Sequence, residues 1–143
     1  MFNPSRDQAR DFFFDAWRKY GSGNASPPLT ALETIAVELI AAHPEYQHIL
    51  ENRDQYVDRD YSPEAGDTNP FLHLSMHMSI REQVSIDQPS GVRAHHQRLT
   101  EKLGSPLEAE HHMMDCLGEM IWHAQRHRKA PDPAIYFACL NKK

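Results

Sequence analysis

Three dipeptides dictate where helices must begin: Asn69-Pro70, Ser105-Pro106 and Asp132-Pro133. In each, a side chain able to accept from the unbonded amides of a helix start precedes a proline. Proline lacks the N–H that a first turn leaves unpaired, and its φ is already set for that turn. Asn69-Pro70 opens an apolar-periodic stretch expected to stay helical to about Asp87, before Pro89. Ser105-Pro106-Leu107-Glu108 adds the glutamate of a capping box. The helix it opens should reach about Arg128, where the basic RHRK complements the negative end of the dipole. A further helix is expected from about Ser90 to Leu103, closed by Gly104, and a short last one after Asp132.

The first half of the chain carries the same kind of signal. Ser5 and Gln8 fit a capping box and Gly21 a stop, which predicts a helix from about Ser5 to Tyr20. Phe12, Phe13, Phe14 and Trp17 cover more than one of its faces, so it should be heavily buried. GSGNASPP reads as a linker. A second helix is expected from about Leu29 to His43, ended by Pro44, with EYQHIL forming a short turn. Residues 51–69 are polar and interrupted by Pro63 and Gly66, and read as an irregular loop. Strand alternation is weak throughout. The expectation is an all-α protein: one helical domain over 1–143, a bundle of five to six helices.

The formal net charge is -5 and basic clusters are short, which argues against nucleic-acid and anionic-membrane partners. No apolar run approaches the roughly 20 residues of a membrane span. The opening MFNPSRDQAR has no cationic segment followed by an apolar one. Cys116 and Cys139 form no CxxC and sit in helical patterns, so they read as reduced thiols of a cytoplasmic protein. Cys116 falls off the main apolar face of its helix, with no histidine placed to activate it. Phosphate loops, dinucleotide fingerprints and serine elbows are missing from the sequence.

What remains as chemistry is a pair of ligand-type spacings, His73-x-x-x-His77 and His111-x-x-x-Asp115. Residues four apart share a helix face. At about 100° per residue, His73 and His77 fall at the centre of the apolar stripe with Ile80 and Val84. His111 falls on the side of Leu107, Met114, Gly118, Ile121 and Trp122, with Asp115 at its edge. Glu110 lies between Met114 and Leu117, and a buried carboxylate needs a partner. If the helices opening at Asn69, Ser90 and Ser105 alternate up and down, the first and third run parallel. His73 and His111 then differ in height by about 3 Å. His43, at the end of the second helix, would lie at the same end.

The candidate metal ligands are therefore His73, His77, His111 and Asp115, with Glu110 and His43 in a second tier. Imidazole and carboxylate donors suit zinc, iron, manganese or nickel. The alternative from the same residues is a buried polar network without metal, in a non-enzymatic interaction or structural module. There the aromatic first helix and the 51–69 loop would dock a protein partner or a second copy. The residues decide neither an enzyme nor a substrate. Glu108-x-x-His111 looks like half of a di-iron element, but Glu108 is also the capping-box position after Ser105.

At NPFLHLSMHMSIREQVSIDQPSGVR, EAEHHMMDCLGEMIWHAQR and the opening PSRDQARDFFFDAWRKY, the chain resembles a bacterial family known as domain of unknown function 1841, over nearly its whole length. The resemblance implies a small bacterial cytosolic helical protein. It carries no activity, substrate or site residue.

Overall fold

Each of the three proline-marked starts is a helix start. A computed structural model describes residues 6–22, 28–61 and 69–143. Among them are eight helices: α1 (Arg6–Gly21), α2 (Ala31–Ala41), α3 (Pro44–Leu50), α4 (Arg53–Tyr56), α5 (Pro70–Ile86), α6 (Val92–Leu103), α7 (Pro106–His127) and α8 (Pro133–Asn141). Asn69 Oδ1 accepts from the Phe71 and Leu72 amides at 3.0 and 3.1 Å. Ser105 Oγ accepts from Glu108 N at 3.4 Å, and Asp132 Oδ1 from Ala134 N at 3.0 Å. The Ser5 cap, Pro63 and Gly66 lie outside the described residues.

The expected five to six helices are corrected to eight. Pro44 does more than end α2: it occupies the first turn of α3, so the segment read as a turn is helical. Part of the expected loop, Arg53–Tyr56, is a single helical turn. The second helix starts at a capping box rather than at Leu29. Thr30 Oγ1 accepts from Glu33 N at 3.1 Å, while Thr30 N donates to Glu33 Oε1 at 2.9 Å.

The chain divides into two compact units, Met1–Met78 and Ser79–Lys143, and α5 runs through the division. The core of the first unit is built on Phe13, Phe14, Leu39, Ile40, Phe71 and Leu74. The Phe14 and Phe71 rings, 5.4 Å apart, join α1 to the start of α5. Two buried charges are held there. Arg10 donates from Nη1 to the Val57 and Arg59 carbonyls at 2.9 and 2.8 Å. Its guanidinium lies over the Phe71 ring at 4.7 Å. Glu33 accepts from Lys19 Nζ at 2.8 Å, so α2 is pinned to α1 as well as packed on it.

In the second unit a disulfide joins Cys116 of α7 to Cys139 of α8. This corrects the expectation of reduced thiols, and the thiol-based argument for a reducing compartment falls with it. Tyr136, fully buried on α8, donates to Gln83 Oε1 at 2.8 Å. Burial raises its phenol above the ordinary range. Arg98 of α6 donates to the Leu140 carbonyl at 2.9 Å. Between α5 and α6 the chain turns at Asp87, whose carboxylate accepts from the Gly91 and Arg93 amides. Gly91 has φ +102, a conformation that L side chains rarely adopt, so glycine suits the turn. Among the described residues no helix is long and apolar enough to cross a membrane.

Candidate metal centre

Pro44 sets up the first ligand. The residue before a proline is driven out of the α region, and His43 has φ −122 and ψ 74. The chain turns between α2 and α3 at this residue, which puts the His43 ring back against the last turn of α2. There its Nδ1 lies 2.6 Å from the Leu39 carbonyl oxygen. A carbonyl oxygen only accepts, so Nδ1 carries the proton. That bond satisfies one of the open carbonyls of the α2 C-terminus and fixes the ring tautomer. In the neutral ring the lone pair is then on Nε2. His43 is 2 % exposed.

Nε2 of His43 faces His73 Nε2 of α5 at 3.1 Å. His77, one turn further along α5, is fully buried. Its ring centroid lies 5.4 Å from that of His43 and 5.8 Å from that of His73. The three residues each offer one ring nitrogen, and these nitrogens lie within 4.8 Å of one another. Tyr46 of α3 forms a wall of the group. Its ring is parallel to His43 within 9° at 5.4 Å, and meets the His73 ring edge-on at 5.6 Å. Burial raises the Tyr46 phenol above its ordinary value, and the neighbouring Glu45 adds to the effect.

Such a set has the features of a nitrogen ligand group. Imidazole nitrogens bind zinc and its neighbours at about 2.0–2.1 Å. A ligating histidine characteristically gives its other ring N–H to a carbonyl or carboxylate, as His43 gives Nδ1–H to Leu39. His43 sits at the negative end of the α2 dipole.

In the first unit His73 and His77 are brought together with His43. His111 lies in the second unit, half-buried, with Nδ1 3.9 Å from Glu108 Oε1. Asp115 has a side chain 71 % exposed, and its carboxylate is 3.3 Å from Lys143 Nζ. Glu110 is buried as expected, but its carboxylate is engaged by Arg81 Nε at 2.8 Å and His96 Nε2 at 3.0 Å. His96 is thus a partner of a buried acid.

The buried side of α7 carries Ala109, Glu110, Met113, Met114, Cys116, Leu117 and Met120. The tether from Cys116 to α8 lies on that side, which leaves Trp122 52 % exposed. Cys116 is on the buried face, contrary to the wheel.

A family model described as Domain of unknown function (DUF1841) matches residues 5–142. No curated protein and no solved structure matches the chain.

Proposed function

The chain belongs to that family, whose description names no activity, and we propose that it binds a divalent transition-metal ion through His43, His73 and His77. The observation that carries this reading is the 3.1 Å approach of His43 Nε2 to His73 Nε2, with the other His43 nitrogen already committed to Leu39. Two nitrogens on one tetrahedral zinc are about 3.3–3.4 Å apart, close to this spacing. His77 supplies a third donor from the same helix face as His73. His111 is a fourth candidate, on the helix-level argument from the sequence alone.

The same contact also favours a second reading. A 3.1 Å separation is an ordinary hydrogen-bond length. A neutral His73 would donate Nε2–H to His43 Nε2, and the rings would order the core without an ion.

Metal analysis of the full chain, purified without a histidine tag, separates the two. Metal binding predicts near-stoichiometric metal in the wild type and its loss in His77→Ala. A metal-free wild type whose melting temperature ignores added zinc would leave the polar network.

A further inference from the structure

Resting on that reading, we infer that the site selects nitrogen-preferring late transition ions, zinc or nickel, over the oxygen-preferring manganese and magnesium. With Asp115 and Glu110 as ligands, manganese and iron would have been natural occupants. Neither carboxylate is available in that role. Asp115 lies at the surface against Lys143, and Glu110 is held by Arg81 and His96. Among the described residues of the first unit, the donors that converge are His43, His73 and His77, all imidazoles.

Carboxylate, carbonyl and water oxygens suit magnesium, calcium and manganese, whereas imidazole suits zinc, copper, iron and nickel. The facial site of non-haem iron needs one carboxylate beside two histidines. The donor set is also held in place. His43 is bonded through Nδ1 to Leu39 O, and Tyr46 is stacked on its face. His73 and His77 are set by one helix, α5. An ion that wants six or more oxygens, such as calcium, is poorly matched to three imidazole nitrogens.

The test uses the unmodified full-length chain, stripped of metal, in competition titrations with zinc, nickel, manganese and magnesium. Zinc and nickel should bind at least about a hundredfold more tightly than manganese, and magnesium in excess should not displace them. His73→Asp, which builds two histidines and one carboxylate, should raise manganese affinity relative to zinc. Manganese bound as tightly as zinc by the wild type would overturn the selectivity while leaving metal binding intact. Absence of binding by every ion would overturn both, so the two failures are distinguishable.

Discussion

His43 Nδ1 and the Leu39 carbonyl oxygen are 2.6 Å apart, and this one bond determines what the rest of the His43 ring can do. It closes the end of α2, assigns the proton to Nδ1, and turns Nε2 toward His73. Tyr46 stacks on the same ring. Tyr46→Ala should therefore lower zinc affinity by roughly 10–100-fold, the usual effect of losing a group that supports a ligand. Tyr46→Phe keeps the stacked ring and should bind as the wild type does. Equal affinity in all three proteins, by competition with a chromophoric chelator, would remove Tyr46 from the account.

The Cys116–Cys139 bridge closes a loop with a sequence separation of 23. A cross-link of that span stabilises by about 3 kcal/mol in the chain-entropy picture. Reduction with a dithiol, or the double change Cys116→Ser and Cys139→Ser, should lower the denaturant midpoint without changing the helical circular dichroism at low denaturant. Buried Tyr136 and Leu140, with the Arg98 bond, keep α8 docked. An unchanged midpoint would mean the bridge contributes nothing.

Glu110 is 3 % exposed between Arg81 and His96. Glu110→Ala leaves the guanidinium without its carboxylate in a partly buried position. The expected loss is about 3 kcal/mol by urea unfolding, at the lower end for breaking a buried pair because Arg81 is partly solvated. Glu110→Gln retains an acceptor and should lose less. Zinc stoichiometry should be the same in both variants, since the proposed ligands are His43, His73 and His77. Loss of metal in a folded Glu110→Gln would contradict that assignment.

Glu33 gives the fold an acid-sensitive element. The Lys19 ammonium, and then the Thr30 amide, hold its carboxyl below the usual range. The folded chain therefore binds this proton more weakly than the unfolded chain does. Its stabilisation is complete above the ordinary carboxylate value of about 4, and is lost as pH falls toward the depressed folded value. Glu33→Gln should flatten that part of the acid limb in urea midpoints. Profiles that run parallel for wild type and variant would refute the linkage.

Helix starts were legible in the sequence because their chemistry is local. Asn69-Pro70 and Ser105-Pro106 cap the helices they announce. His73 and His77 were legible as a pair because four-residue spacing fixes a shared face. The rank of His43 was not, since its direction depends on how Pro44 turns the backbone and on a bond to a main-chain carbonyl. Cys116 was misread because the sequence does not show where α8 docks on α7. A helical wheel contains no information about a neighbour tethered by a disulfide. The Arg81–Glu110–His96 group was half visible: the buried acid stood out, whereas its partners lie on two other helices.

X-ray absorption at the zinc edge of the loaded, untagged chain tests the central claim most directly. The account predicts a nitrogen-dominated shell at about 2.0–2.1 Å with the outer scattering of at least three imidazoles. That scattering should diminish in His43→Ala and in His73→Ala. A shell dominated by oxygen, or one unchanged by both substitutions, would contradict it.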